Sequence, residues 1–299
     1  MKMTPRYPVF IPSKGRANLA LTAGMFARDG VPFKVVVEPQ EVEAYERAVG
    51  ADRLCVLPEN NRGLVYSRNW IKTFATAEGH ERHWQFDDDI KWISRIYKGY
   101  RLRCPSNVAL SACEDFVDKY ENVALASLNS EFFLPVNGTT RLQWPPFYLN
   151  SRCYTCFLVL NALPNRWRNR YNEDTDMTLQ VLSDGWCTIL FNAFAIRTPA
   201  TMTSGGGQTP IYVSDGRLHM ARQLERIWPG VVTTMRRFHR PQHHVKGHWT
   251  KFDTPLKRKP GFDASDAEPN EYGMTLKAVA PVKSASLRRL LEDEIERKS

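Results

Sequence analysis

The chain has 299 residues, 42% of them hydrophobic and 24% charged, a balance that excludes a disordered or fibrous protein. That length suits one large domain or two small ones, with core enough to need no disulfide. The formal net charge is +9, which favours a polyanionic partner, and no stretch approaches the roughly 18 apolar residues of a membrane span.

The opening MKMTPRYPVFIPSKGR lacks the long apolar core of a signal peptide, so a cytoplasmic location is expected, with no membrane partner. Residues 7–12 (YPVFIP) read as a short buried strand closed by a proline, followed by the basic loop Ser13-Lys14-Gly15-Arg16. A helix is predicted over residues 18–28, a strand over 32–37, an acidic helix over 41–49 and a strand over 53–57. Residues 64–77 have helical spacing, and 84–86 (WQF) form a fourth strand with three aspartates at its carboxyl end. This alternation predicts an α/β protein with a mostly parallel sheet.

Later strands are predicted over residues 123–128, 154–160 and 186–196, and helices over 172–182 and 218–227. Residues 203–209 (TSGGGQT) read as a flexible loop able to close over a donor or receive an acceptor. Residues 257–273 read as a Pro-rich, charged linker and 284–297 as a charge-paired helix. Of six cysteines only Cys153 and Cys156 have CxxC spacing, and without a second pair they read as reduced core thiols.

Asp87-Asp88-Asp89 is the sharpest chemical signal. Ligands of open α/β sheets bind outside the carboxyl ends of strands. Three adjacent carboxylates there repel one another unless a cation offsets them. Mg²⁺ or Mn²⁺ takes one or two carboxylates plus phosphate oxygens, which a nucleotide diphosphate supplies. A solvated turn or a helix N-cap is the alternative.

PSKGR, NRGLVYSRN, FDDDI and NEDTDM, in that order, resemble the GT-A fold glycosyltransferases, with an Asn-x-Gly…Arg-Asn segment before a DxD motif and a later xED motif. FIPSKGRA and YNEDTDM resemble more narrowly the TET/JBP-associated DNA glycosyltransferases, many of them phage proteins acting on hydroxymethylated pyrimidines. The resemblance implies a Rossmann-type, mixed and mostly parallel sheet flanked by helices, with a basic C-terminal extension. It implies a catalytic domain over residues 1–255, with a nucleotide-sugar half over 1–125 and an acceptor half over 126–255. Residues 256–299 then form the linker and terminal helix.

By the same resemblance Pro12, Ser13, Lys14 and Arg16 line the nucleoside site of a UDP-sugar, UDP-glucose or a relative. Asn61, Arg62 and Arg68 lie in the motif that meets the diphosphate; an arginine grips such a group in bidentate fashion. Asp87 or Asp88 contacts the nucleotide, and Asp89, with Asp87 beside it, holds Mn²⁺ or Mg²⁺. Asp174 is the expected general base, removing the acceptor hydroxyl proton in an inverting transfer; Asp176 is the rival base and Glu173 a sugar or acceptor contact. The same acids suit a helix N-terminus.

Residues 236–259 hold eight Lys or Arg, four of the seven histidines and one acid. His244, or else His243, is a candidate further metal ligand and Lys246 a candidate for the leaving phosphate. Trp144, Phe147, Tyr148, Trp167, Tyr171 and Trp249 are candidates to stack a flipped base, although such rings are more often core. The expected activity is transfer of a sugar from UDP to a hydroxymethylpyrimidine in DNA, hydroxymethylcytosine first, by a monomeric enzyme. Its rivals are the same chemistry on a glycan, protein or small molecule, and a non-catalytic DNA-binding protein.

Overall fold

The computed structural model describes residues 4–97, 100–134, 144–199, 216–237 and 239–261. The first ninety residues alternate as the sequence predicts: β1 (Val9–Pro12), α1 (Leu21–Asp29), β2 (Lys34–Val37), α2 (Val42–Val49), β3 (Leu54–Val56), α3 (Leu64–Ala77) and β4 (Arg82–Phe86). Strands β1 and β4 are buried along their whole length, as expected of strands covered on both faces. Then come β5 (Trp92–Tyr97), β6 (Tyr100–Cys104), α4 (Ser106–Val117), β7 (Val123–Ser130), β8 (Phe147–Leu149), β9 (Cys156–Leu160), α5 (Glu173–Ser183) and β10 (Cys187–Arg197). The last elements are α6 (Gly216–Ile227), β11 (Val232–Arg237) and β12 (Arg240–Val245).

One ten-stranded sheet has the order β3-β2-β1-β4-β9-β7-β10-β5-β6, with β8 also on β10. Strands β1 to β4, β7, β10 and β6 run one way; β9, β5 and β8 run against them. The sheet is therefore mixed but mostly parallel in direction, flanked by six helices among the described residues. Side chains of successive strand residues point to opposite faces. Val9, Ile11, Trp84 and Phe86 accordingly pack with Phe26 of α1 and Leu110 of α4. Phe10 and Val36 pack instead with Ile71 and Ala75 of α3.

After β1 the chain builds β2 and β3 to one side, then returns through α3 to place β4 on the other. The carboxyl ends of β1 and β4 thus meet at a topological switch point, where an open sheet leaves a crevice. Strands β11 and β12 form a separate antiparallel ribbon whose base packs on α5 and α6.

Residues 257–259 are extended as expected but tied down: Glu121 and Lys257 share a backbone hydrogen bond of 3.0 Å, and Lys259 N donates to Lys119 O at 2.9 Å. The 203–209 loop and the 284–297 helix lie outside the described residues. Cys153 and Cys156 are buried free thiols.

On the α3 face of β4, His83, Gln85 and Asp87 are part of one polar chain. Asn161 Oδ1 accepts from His83 Nδ1 at 2.5 Å, and His83 Nε2 accepts from the Gln85 amide at 2.9 Å. Gln85 Oε1 then accepts from Arg68 Nη1 at 3.4 Å. The imidazole is therefore neutral, and complete burial pushes His83 down to about 3. Below about pH 6.5 the unfolded chain binds a proton that the native state refuses until about 3, so stability falls with falling pH through that window. His83→Gln cannot titrate. Its stability deficit against wild type is expected to shrink by about 1.6 kcal/mol in all between pH 6.5 and 5, read by urea unfolding. A deficit independent of pH would show that His83 titrates normally.

Candidate active site

The crevice is built from loops that follow the strands. Gly15 adopts a left-handed φ of 66°, which turns the loop after β1 back over the sheet end. Tyr45 of α2 pins that loop, accepting from Arg16 N at 3.1 Å and meeting Ser13 Oγ at 2.6 Å. Ser13 Oγ donates to Asp88 Oδ2 and Arg16 Nη1 pairs with Asp88 Oδ1, each at 2.5 Å. Lys14 Nζ reaches Glu38 Oε2 and Asn61 Oδ1, both at 2.7 Å.

The three aspartates differ in environment. Asp88 is 8% exposed, with both carboxylate oxygens committed to the β1 loop. Asp88 thereby holds Ser13 and Arg16, two of the residues expected at the nucleoside. The side chains of Asp87 and Asp89 remain 35% and 28% exposed. Thr22 Oγ1 donates to Asp87 O at 2.6 Å and accepts from Ile90 N at 2.9 Å, which fixes the turn to α1. Asp87 Oδ1 accepts from Arg68 Nη2 at 2.8 Å. Desolvation in the crevice pushes Asp87 up to about 7; Arg68 opposes this, and Asp89, Asp88 and Asp174 add to it. Burial and Asp88 also raise Asp89, against Arg16, which stands 3.7 Å away.

The start of α5 supplies the other wall. Asn172, in a left-handed conformation with φ 50°, donates from its amide to Met220 O at 2.9 Å and anchors the turn to α6. Glu173 is 7% exposed and lies 3.7 Å from Arg68 Nε, a nitrogen with no hydrogen-bond partner. Burial and Asp174 raise Glu173, against Arg68. Asp174 is half-buried, and its Oδ1 accepts from Thr175 N at 2.6 Å. His243 Nε2 meets Thr175 Oγ1 at 3.1 Å; burial lowers this imidazole, while Asp174 raises it and Arg152 lowers it further.

Several expected site residues lie elsewhere. Asp176 is fully buried and held by Arg168 Nε at 3.0 Å, Trp228 Nε1 at 2.8 Å and Gln180 Nε2 at 2.8 Å. These bonds tie α5 to Arg168 and to Trp228. Arg62 is exposed and pairs with Glu59 at 2.6 Å. His244 pairs with Thr233 on the opposite face of the ribbon from His243, so His243 is the histidine beside Asp174. Lys246 lines a basic cleft of about 450 Å³ with Arg222, Glu225 and Arg226, not the crevice. Trp167 and Tyr171 are core, and Phe147 packs 4.9 Å from Phe116. Asn69 is likewise structural, exchanging two hydrogen bonds with the Trp167 backbone at 2.6 and 3.0 Å.

Glu38, Tyr45 and Thr22 escaped the sequence reading. Glu38 was accessible to it, since it follows β2 at the same end of the sheet as Ser13 and Asp87. Four acids, Asp87, Asp88, Asp89 and Glu173, thus face two buried or half-buried arginines, Arg16 and Arg68, and Asp174 follows Glu173 on α5. Among the described residues no group of three or more His, Cys, Asp or Glu is arranged to hold a metal ion. Mg²⁺ and Mn²⁺ need no such group, because phosphate oxygens complete a shell begun by one or two carboxylates. The partly open Asp87 and Asp89, both raised by burial and then by neighbouring carboxylates, fit that donor set.

No curated protein is significantly similar to the chain. Among solved structures, a mannose-1-phosphate geranyltransferase from Thermus thermophilus is 15% identical over 85% of this chain and 69% of that one, with a TM-score of 0.31. No helix among the described residues is long and apolar enough to cross a membrane. The family model for TET-Associated Glycosyltransferase matches residues 7–207, from β1 through the switch-point crevice and α5. The chain belongs to that family and is a nucleotide-sugar-dependent glycosyltransferase.

Proposed function

We propose that the enzyme moves a sugar from a UDP-sugar to the hydroxymethyl group of a modified pyrimidine in DNA, 5-hydroxymethylcytosine first, with inversion and with a divalent cation. The observation that supports this reading is the convergence of Asp87, at the end of β4, and Glu173, beside Asp174 at the start of α5, on one buried arginine at the switch point. Arg68 is 2.8 Å from Asp87, and Asp174 is close enough to raise that carboxyl. The donor and acceptor walls therefore share one crevice.

Ser13, Lys14, Arg16 and Asn61, with Pro12 ending β1, form the nucleotide side. Their present partners, Asp88 and Glu38, hold these groups at the sheet end before a ligand arrives. Asp89 and Asp87 would hold Mn²⁺ or Mg²⁺, which neutralises charge on a departing diphosphate. Asp174 accepts the proton of the acceptor CH₂–OH as that oxygen bonds to the anomeric carbon. The bond from that carbon to the diphosphate oxygen breaks, its electron pair leaves with UDP, and a single displacement inverts the centre. Glu173 and the His83–Gln85 chain act through Arg68, keeping its guanidinium against Asp87. The +9 charge and its concentration in residues 236–259 support a polyanionic acceptor.

Incubation with hydroxymethylcytosine DNA and a panel of UDP-sugars, read by nucleoside mass, is expected to give a hexosylated nucleoside. UDP release onto a different acceptor, with no DNA adduct, would remove the DNA reading. UDP with Mn²⁺ at about 100 times Kd is expected to stabilise the protein by roughly 2.7 kcal/mol. Asp89→Ala is expected to abolish transfer while leaving the protein folded; metal-dependent activity that survives the change contradicts the assignment.

Asp174 and Asp176 separate by opposite signatures. Asp174→Asn is expected to lower kcat by about 10²- to 10⁴-fold with little change in Tm. Asp176→Ala strands Arg168 and Trp228 and is expected to cost about 2–4 kcal/mol of stability by denaturant unfolding. The reverse pattern would exchange their roles.

A further inference from the structure

The ribbon of β11 and β12 stands apart from the sheet, and its two ends differ in character. At its base Val232 and Val245 are buried together against Leu179 and Leu224. Thr234 Oγ1 donates to Glu225 Oε2 of α6 at 2.7 Å, and His243 meets Thr175 of α5. The base is therefore fixed to the helix that carries Asp174. At the far end Arg236 and Arg240 are both exposed, and Arg237 pairs directly across from Arg240. Like charges directly opposite on a ribbon are destabilising, so the tip gains nothing in stability from this arrangement. From residue 216 to 261 the chain holds eleven Lys or Arg against two acids, Glu225 and Asp253.

We propose that this ribbon is the DNA-docking element of the enzyme, with Arg236 and Arg240 at its tip contacting backbone phosphates of the acceptor strand beside the target base. The inference rests on the DNA reading above and adds the surface that makes it work. A two-stranded ribbon is narrow enough to enter the major groove of a duplex. At about 3.3 Å per residue, Arg240 lies about 10 Å along the ribbon from His243 and on its opposite face, while Arg236, across from Pro241, shares the His243 face. That spacing corresponds to about three base-pair steps of a duplex. Phosphates gripped at the tip thus flank a nucleotide presented to Asp174, and the rigid base fixes the offset between the two. Arginine suits this task because its planar fork meets phosphate oxygens in pairs. Such interactions set register without reading sequence.

The test uses the full chain and a short duplex carrying hydroxymethylcytosine. Arg236→Gln combined with Arg240→Gln is expected to reduce the slope of log Kobs against log salt by about 1.8, at about 0.9 for each phosphate no longer neutralised. KM for DNA rises while the thermal shift given by UDP with Mn²⁺ stays as in wild type, which also reports that the variant is folded. Arg236→Lys with Arg240→Lys keeps the charge and is expected to retain most of the slope. Wild-type transfer to DNA with an unchanged slope and KM in the double Gln variant overturns the ribbon assignment alone. No wild-type transfer to DNA, together with transfer elsewhere, overturns the DNA reading first. Tighter binding to phosphatidylserine vesicles than to the duplex, abolished in the double Gln variant, assigns the ribbon to a membrane surface and overturns the proposal.

Discussion

Arg68 is buried to 1% exposure in the middle of the protein, with its guanidinium 5.0 Å from the ring centre of Phe157. An isolated charge in such a place costs several kcal/mol, and removing its partners would cost much of that again. Its partners are Asp87 at the end of β4 and Glu173 at the start of α5. The requirement that Arg68 be neutralised therefore draws together two segments nearly ninety residues apart in the chain. Gln85 and His83 complete the cradle from below, because β4 shows the same face at every second residue.

The charge balance above Arg68 is incomplete. Asp88 is fully occupied by Ser13 and Arg16, so its charge is compensated inside the protein. Asp87, Asp89 and Glu173 are all raised, the direction expected where desolvated carboxylates outnumber cations. A ligand set bringing a divalent cation relaxes this crowding, while an additional anion alone would worsen it. The proposed metal–diphosphate donor is consistent with that balance. Repulsion of this kind favours binding without any movement of the sheet.

Much of the donor half was legible in the sequence because it follows short-range rules. The β1–α1–β2–α2–β3–α3–β4 alternation emerged from hydrophobic runs, and residues 64–77 match α3. Asp87 to Asp89 could be placed at a strand end from WQF alone. The β5–β6 pair and α4 were missed because β6 (YRLRC) is mostly exposed and offers no apolar run, while α4 begins directly after Pro105 and shares its apolar residues with a long-range core. The contrast between Asp174 and Asp176 was also illegible. Both sit in the first turn of α5, and only Arg168 and Trp228, one of them 52 residues away, show that Asp176 is tied into the fold. The choice between His243 and His244 was open for a related reason: strand pairing with period two decides which of them faces α5, and β12 gives no hydrophobic alternation to reveal it.

The two walls of the crevice are stabilised in different ways, and this bears on how catalysis is organised. The nucleotide wall is tied by ion pairs within the sheet end: Arg16 to Asp88, Lys14 to Glu38 and Arg68 to Asp87. The acceptor wall is tied by helix and ribbon packing, through Asn172 to α6, Asp176 to Trp228 and His243 to Thr175. Salt weakens exposed ion pairs far more than buried apolar packing. The β1 loop, where Lys14 is 41% exposed, is the part of the site whose order depends on ionic conditions and on the donor itself. Asp174, by contrast, sits at a helix end held by packing rather than by exposed ion pairs. Under the function proposed above, a base on that packed helix end gives the acceptor proton somewhere to go as soon as the anomeric carbon is in reach.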